Sequence, residues 1–456
     1  MYISKIKLEN VRCFEEETID LGDSHLSLLV SGNNGTGKSS ILRSIAMGLC
    51  DEASAGGLLR ELPGDFIQDG KENASIEIEF TKENGEKWFI LTELKLYEKL
   101  NFERVHQRYY KDEVDKNDKG EDWQDFPWER IFIAGYGAGL RTDGTEDYDQ
   151  YFSGDAVYSL FKYSQTLQNP ELAWRRLRSV TQDNDIRQQI DNDISEILHD
   201  ILDLDNESNA RLKPNGIFIV KNKENKIISD YEENSTELNS VGDGFRALTT
   251  LILDLLSWQL LMQNKDYINE EPWTPLSLKN MQGIVIIDEI EKHLHPLLQR
   301  QIIAHLHSKF ENIQFILSTH SPLCVSGTAD IGEYDDPRYK IYCSYKKDDS
   351  LSGLEEYQVP RGLRYDQILV DYFRLPSSIN LKLQKQVDRL RDLYMRQDNL
   401  EQGEIDEFRA LDEELKKYAP LLAEREEDRI LEIETRKTTE KLKQQLIRDG
   451  LLDDTD

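Results

Sequence analysis

An α/β fold organised on a parallel sheet is what this sequence predicts, and three stretches predict it. The first, Gly32-Asn33-Asn34-Gly35-Thr36-Gly37-Lys38-Ser39, fits the phosphate-binding pattern G-x-x-x-x-G-K-[ST]. It lies between an apolar run, Leu26 to Val30, and a segment of helical spacing, Ile41 to Leu49, so strand, loop and helix follow in the order such a loop requires. The second, Ile284-Val285-Ile286-Ile287-Asp288-Glu289, sets two carboxylates at the end of four β-branched residues, the pattern of a central strand buried on both faces. The third, Ile313 to Leu317, is another buried strand and runs into Ser318-Thr319-His320-Ser321-Pro322.

The 456 residues are 38% hydrophobic and 31% charged. That is a soluble globular composition with room for two or three structural units. A net charge of −31 repels a nucleic-acid backbone over most of the surface, so direct DNA binding would need a local basic patch or a basic partner. The longest apolar run, Leu248 to Met262, is interrupted by Asp254 and Gln259 and reads as a core helix rather than a membrane span. Cys13, Cys50, Cys324 and Cys343 are scattered with no C-x-x-C pair, which fits reduced thiols and argues against a zinc site. Met1-Tyr2-Ile3-Ser4-Lys5 carries no secretory pattern, so a cytoplasmic location is expected.

Taken in order, Ile3, Ile6, Leu8 and Val11 alternate with charged residues in an opening strand that turns at Asn10 to Phe14 into a second. Ser75 to Phe80 and Lys87 to Leu96 read as strands of a β-rich side lobe at about 70–130, and Lys111 to Asp122 as a charged loop. Ile131 to Ala134 is a buried strand ending in Gly135-Tyr136-Gly137-Ala138-Gly139. Asp155 to Leu204 reads as helical, with Leu160, Phe161, Leu167, Trp174 and Leu177 on its apolar face and Ile186, Ile190, Ile194 and Ile197 continuing at spacings of four and three. Gly216 to Val220 with Lys226 to Ser229 reads as a hairpin, Ala247 to Met262 as a long helix, and Tyr339 to Val359 as two further strands.

The composition shifts after residue 375. Leu383, Val387, Leu390 and Tyr394 form a helical seam, and Ile405, Phe408, Leu411 and Leu415 continue it after a break near Gly403. Pro420 begins a further segment with Ile430, Ile433, Leu442 and Leu446. Two readings stand for this region: a solvated helical hairpin folding on itself, or a docking platform for another subunit.

The chemistry follows from residue types. Glycines at 32, 35 and 37 let the loop curl so that its N–H groups, from Asn33, Asn34 and Gly35 through Gly37 to Ser39 and Ser40, converge on phosphate oxygens at the positive end of the next helix. Lys38 would then reach the β- and γ-phosphates, and Ser39 would hold Mg²⁺. Asp288 would hold the same Mg²⁺ through water, and Glu289 would orient or deprotonate the attacking water. His293 and His295 suggest a metal pair, but a structural reading is preferred. Thr236 to Arg246, with Gly242, Asp243 and Gly244 before the long helix, makes a glycine-lined helix N-terminus able to bind a γ-phosphate, or a plain capping turn.

The opening Ile3-x-x-Ile6-x-Leu8-x-Asn10-Val11-Arg12-x-Phe14, followed by the phosphate loop, resembles the ATPase heads of the structural-maintenance-of-chromosomes and overcoming-lysogenization-defect families, which are ABC-type ATPases. The run Asp288-Glu289-x-Glu291-x-x-Leu294-His295-Pro296 resembles the same families. The fold so implied is an α/β ABC-type P-loop NTPase head with a mixed central sheet, over residues 1–375. It carries the β-rich side lobe, a helical lobe at about 150–210 and a half bearing signature and carboxylates at about 236–375, followed by a C-terminal helical tail over 376–456. In the resemblance His320 is the switch histidine that contacts the γ-phosphate. Gly244 takes the signature glycine, and Gly242 stands where a serine is usual. Such a loop faces the nucleotide of another subunit, which implies at least a homodimer. Tyr136 and Gly137 stand where these families carry a glutamine that touches Mg²⁺ and the attacking water.

The Gly135–Ala138 turn and the tail Arg364 to Leu375, with Asp366-Gln367-Ile368-Leu369, resemble bacterial defence ATPases. No long coiled-coil insertion, no H-N-H pattern and no room for a Toprim domain after His320 are evident. The whole is similar to the PtuA family, the ATPases of Septu-type antiviral systems, whose partner is an HNH nuclease. That resemblance implies a regulatory ATPase subunit that gates a partner nuclease and meets nucleic acid indirectly. The alternative is a DNA-repair or recombination ATPase that binds DNA directly. A nuclease in its own right would need a second carboxylate or histidine cluster, and the sequence offers none with suitable spacing.

Overall fold

The computed structural model describes residues 1–62, 65–82, 84–97, 102–111, 126, 131–139, 150–179, 184–202, 208–213, 216–221, 235–237, 242–264, 281–333, 336–375, 381–396 and 402–418. The chain divides into two compact units, Met1–Arg374 and Leu375–Asp456.

The first unit opens with an antiparallel pair, β1 (Tyr2–Val11) and β2 (Phe14–Asp20), whose tight turn uses left-handed backbone at Asn10 and Arg12. Next come β3 (Ser27–Gly32), α1 (Lys38–Gly48) and α2 (Glu52–Glu61), then three long strands, β4 (Asn73–Thr81), β5 (Lys87–Tyr97) and β6 (Phe102–Lys111). β7 (Ile133–Tyr136) precedes the helices α3 (Ser153–Val157), α4 (Pro170–Ser179) and α5 (Asn184–Ile201). β8 (Ser208–Lys213), β9 (Gly216–Lys221) and β10 (Ser235–Glu237) form a small antiparallel sheet before the long helix α6 (Asp243–Asn264). The remainder is β11 (Gly283–Ile287), α7 (Pro296–Lys309), β12 (Ile313–Thr319), α8 (Pro322–Gly327), the short pair β13 (Gly332–Glu333) and β14 (Asp336–Pro337), β15 (Tyr339–Lys346), β16 (Ser352–Tyr357) and α9 (Tyr365–Asp371).

Two sheets organise this unit. The central one has the order β16-β15-β3-β12-β11-β7 and is parallel except for β16, which pairs antiparallel with β15. β3, β11 and β12 are buried along their whole length, which is why they read as continuous apolar runs. Being parallel, they deliver their carboxyl ends to one edge, where open α/β sheets bind ligands. The second sheet, β2-β1-β4-β5-β6, is antiparallel throughout.

Ile3, Ile6 and Ile78 of the side sheet, Ile41 and Ile45 of α1, and Val30, Ile286 and Ile316 of the central sheet belong to one continuous core. The buried Gln314 amide joins β12 to the side sheet. Its Oε1 accepts Ile3 N–H at 2.8 Å, and its Nε2 donates to the carbonyls of Ile3 at 2.9 Å and Leu26 at 2.6 Å. A register shift between Ile3 and Lys5 accompanies this link.

The side sheet includes β1 and β2 as well as β4 and β5, and it gains β6, whose inward positions Val105, Gln107 and Tyr109 include the amide of Gln107. Gln107 is tolerated inside because its amide donates to Cys50 O and Thr92 Oγ1. The helical stretch from Asp155 is broken between Val157 and Pro170 by a 3₁₀ turn and irregular chain. The hairpin partner of β9 is the preceding β8, and β10 pairs on its other side; Lys226 to Ser229 lies outside the described residues. The charged loop from 112, and the segment from Pro420 onward, also lie outside them. The stretch Asp243–Met262 is long and apolar enough to cross a membrane by composition alone, but 83% of it is buried inside the protein.

In the second unit, α10 (Leu381–Met395) and α11 (Gln402–Tyr418) form an antiparallel hairpin. Val387 and Leu415 are buried together with Leu383 beside them, and Tyr394 meets Phe408 with ring centroids 6.3 Å apart. Arg389 pairs with Glu407, and Arg396 with Glu404. The seam read from the sequence is thus used, at least in part, within the hairpin itself.

Candidate functional site

The site forms where the carboxyl ends of β3, β12 and β11 meet. β3 ends at Gly32 (φ 139°), and the chain turns through Gly35 (φ 72°) and Gly37 (φ 96°) into α1. A Cβ on Gly37 would stand 2.6 Å from Cys13 Sγ and 2.6 Å from the Phe14 ring, so this position needs glycine for both backbone and space. A Cβ on Gly32 would stand 2.3 Å from the Ser344 carbonyl of β15. Thr36 supports the loop from within, its hydroxyl donating to Asn33 O at 2.9 Å while Ser344 Oγ donates to Thr36 O at 2.5 Å. No side chain caps the N-terminus of α1. Its first amides are therefore available to an anion, and the cradle fits a phosphate group.

Lys38 is buried, and its ammonium donates to Gly32 O at 2.9 Å and Asn33 O at 2.8 Å. Burial lowers its pKa to about 8, against the attraction of Asp288, Glu291 and Glu289. The lysine also lies 3.2 Å from His320 Nδ1, which stands 2.9 Å from Gly32 O. The other ring nitrogen, His320 Nε2, is 3.5 Å from Glu289 Oε1. His320 therefore bridges the phosphate loop and the carboxylate strand. Its hydrogen bond, with help from Lys292 and Lys38, holds the Glu289 carboxyl below the usual carboxylate range.

The carboxylate pair is held by β12. Ser318 Oγ donates to Asp288 Oδ1 at 2.5 Å and accepts Glu289 N–H at 2.9 Å. The Glu289 backbone is left-handed at φ 54°, an unusual conformation for a glutamate and one of the kind that clusters at functional sites. Glu291 carries a role that local sequence does not reveal. Its oxygens accept the His320 N–H at 2.6 Å and the Thr319 hydroxyl at 2.7 Å. Its place in the Asp-Glu-x-Glu run and the Ser-Thr before His320 were the available signals.

The structure brings Lys38, Asp288, Glu289 and His320 together. Asn34 and Gly35 are exposed at the loop tip, Ser39 is partly exposed at the start of α1, and Ser40 is buried, accepting the Ser44 hydroxyl on its carbonyl. Asn33 is exposed, yet its amide donates to the Phe373 carbonyl at 3.0 Å, tying the loop to the chain after α9.

Gly242, Asp243 and Gly244 lie elsewhere, at the N-terminus of α6. Among the described residues no hydrogen bond joins them to the phosphate loop of their own chain. A Cβ on Gly244 would stand 2.4 Å from the His293 carbonyl, so the helix start packs closely on the turn after the carboxylates. His293 (φ 65°) shapes that turn, and His295 caps α7, its Nδ1 accepting Leu297 N–H at 3.3 Å. Both histidines have structural duties, and among the described residues no cluster of His, Cys, Asp and Glu could hold a metal through those side chains alone.

The triplet Gly135-Tyr136-Gly137 is explained by its two faces. A Cβ on Gly135 would meet Leu160 at 2.5 Å, and one on Gly137 would meet the Ser159 carbonyl at 2.1 Å. The segment 157–160 thus lies flat on that face, with Ser159 Oγ donating to Gly135 O. Tyr136 points the other way, fully buried, and donates to Asp254 Oδ2 of α6 at 3.1 Å.

Comparison with known proteins places this site in context. The family model described as "AAA domain, putative AbiEii toxin, Type IV TA system" matches residues 28–326. The chain is 25% identical over 347 residues to the Septu protein PtuA of Bacillus mycoides (strain KBAB4), covering 72% of this chain and 39% of that one. It is 29% identical over 205 residues to the Retron Vc95 probable ATPase of Vibrio cholerae serotype O1 biovar El Tor, covering 40% of this chain and 37% of that one. The match thus spans well under half the length of these relatives. An SMC head domain from Thermotoga maritima aligns with a TM-score of 0.44 and 16% identity, over 79% of this chain and 100% of that one. The chain belongs to this AAA-domain family and is similar to the Septu protein PtuA.

Proposed function

We propose that this chain is the ATP-binding regulatory subunit of a bacterial antiviral complex, in which two copies clasp ATP and the closed pair gates a partner HNH nuclease. The observation that carries the reading is the bridge from Lys38 through His320 to Glu289, which joins the phosphate loop to the carboxylate strand. In this reading the loop amides from Asn33 to Ser40 and the Lys38 ammonium hold the triphosphate. Ser39 and Asp288 hold Mg²⁺, which would neutralise phosphate charge. Glu289 takes or orients the proton of the attacking water, and His320 senses the γ-phosphate. Gly242, Asp243 and Gly244 of the second copy close the site through backbone N–H groups. The acidic surface fits action through a partner rather than direct grip on DNA. The hairpin of α10 and α11 is the proposed docking region, and the cytoplasm the proposed compartment.

With no glutamine after β7 and no signature serine, turnover is slow and ATP serves more as a state marker than a fuel. The test is to measure ATP hydrolysis and self-association for the full chain and for Glu289→Gln. The expected result is slow wild-type hydrolysis, abolished in the variant, with ATP-driven pairing retained. A wild-type rate typical of motor enzymes, or no pairing of either protein with ATP, refutes the reading. Tight, steeply salt-dependent duplex binding by the chain alone would favour a DNA-repair role instead.

A further inference from the structure

We propose that Tyr136 and Asp254 are a positioning pair that fixes the glycine-lined start of α6 against the Asp288–Glu289 strand. Three contacts define the arrangement. The Tyr136 carbonyl accepts the Asp288 N–H at 2.8 Å, so the tyrosine backbone touches the residue at the centre of the site. The Tyr136 hydroxyl donates to Asp254, in the middle of α6. At its N-terminus, α6 rests on the His293 carbonyl through Gly244, which has no side chain to intervene. The helix is thus held at two points, at Asp254 by Tyr136 of β7 and at Gly244 by the turn after β11, with a rigid helix between them.

The pair is also braced from the helical side. Asp254 Oδ1 accepts the backbone Gln168 N–H at 3.1 Å, the Gln168 side-chain Oε1 accepts Ser257 Oγ–H, and Arg176 of α4 donates to both Gln168 Oε1 and Ser257 Oγ. Tyr136 and Asp254 are fully or almost fully buried. A buried hydroxyl–carboxylate contact has few alternative partners, so it holds one geometry. The two flanking glycines let segment 157–160 close the opposite face of β7, which keeps the tyrosine ring turned toward α6. A residue placed after β7 to touch nucleotide would report on the ligand. This tyrosine instead makes α6 a fixed extension of the carboxylate strand, so that the two move as one body.

The inference rests on the proposed hydrolytic role only for its kinetic arm. Tyr136→Phe keeps the ring and removes the hydroxyl; Asp254→Asn removes the carboxylate. Full-length proteins are compared well below their unfolding temperatures. In hydrogen exchange without nucleotide, Tyr136→Phe raises exchange of the amides in Asp243–Thr250 about tenfold or more, while α1 amides keep wild-type protection. With ATP, kcat falls about tenfold or more while KM stays within about twofold, since the loop that binds phosphate is untouched. The Tyr136→Phe, Asp254→Asn double variant falls no further than the worse single one, because the two act as a unit. Unchanged exchange over Asp243–Thr250, or equal loosening of α1, overturns the proposal. If wild type shows no hydrolysis, the function fails separately and the exchange result alone decides the pair.

Discussion

Glu291 holds His320 by its backbone, one carboxylate oxygen accepting the His320 N–H at 2.6 Å and the other the Thr319 hydroxyl at 2.7 Å. The ring placed this way reaches Gly32, Lys38 and Glu289. Glu291→Ala leaves these donors without their acceptor, at a cost of about 1–3 kcal/mol for each that stays buried and unpaired. Hydrolysis by Glu291→Ala is expected to fall to the level of His320→Ala. Glu291→Gln keeps an oxygen for the backbone His320 N–H and should retain most of the activity that the alanine variant loses. Parallel measurement of kcat and ATP binding decides it: an alanine variant with wild-type kcat would exclude a positioning role.

Gly37 and Gly35 share a left-handed backbone but differ in surroundings. A Cβ at Gly37 meets Cys13 and Phe14, while one at Gly35 meets nothing within 4 Å. Gly35→Ala should carry only conformational strain, roughly 1–2 kcal/mol. Gly37→Ala adds a clash that must push the loop away from the β1–β2 turn. The expected order is a lower melting temperature and weaker ATP binding for Gly37→Ala than for Gly35→Ala. Fluorescent-nucleotide titration and thermal melts on both variants provide the check, and the reverse order would mean that the loop relaxes elsewhere.

If Lys38 grips the triphosphate as proposed, nucleotide binding depends on pH in a defined window. Burial lowers its pKa to about 8, and a bound triphosphate would raise it again by favouring the charged form. Binding ATP above pH 8 therefore requires proton uptake, so affinity is constant below that pH and weakens above it, by about tenfold at pH 9. Lys38→Met should bind more weakly throughout and lose this slope. Isothermal titration from pH 7 to pH 9 in buffers of different ionisation heat reads the proton uptake directly; zero uptake at pH 9 in the wild type contradicts the assignment.

Much of the site was legible because its parts are local. The loop Gly32–Ser39 carries its own strand and helix, and Asp288–Glu289 ends an apolar strand, so spacing alone locates each. Their meeting depends on β12 lying between β3 and β11, a long-range pairing that no local pattern encodes. Contacts between distant segments were hidden for the same reason: Glu291 with His320, Asn33 with Phe373, and Ser344 with the loop. β6 was missed because Gln107 interrupts the apolar alternation, its burial made possible by partners in β5 and before α2. Tyr136 looked like a lost glutamine; only the packing of 157–160 on its flanking glycines shows which way its ring must turn.

Asp254 gives a last test, because burying a carboxyl ties stability to pH. Its pKa is pushed up to about 6, chiefly by burial, against hydrogen bonds from Gln168 N–H, Tyr136 and Trp258 and the attraction of Arg176. The unfolded chain titrates it near 3.9. Between these values the folded protein holds the proton more tightly than the unfolded chain, so this group's contribution is fully present below about pH 4 and is lost as pH rises through about 6. The loss is roughly 3 kcal/mol. Asp254→Asn cannot ionise and escapes it. Whatever fixed penalty asparagine carries from its changed hydrogen bonds is the same at both ends of the range. The stability of Asp254→Asn relative to wild type should therefore improve by a few kcal/mol between pH 4 and pH 7.5. Urea unfolding of both proteins at the two pH values gives this difference of differences with all other titrating groups cancelled. A value near zero would mean that Asp254 titrates in the folded protein no higher than in the unfolded chain, its hydrogen bonds and Arg176 offsetting its burial.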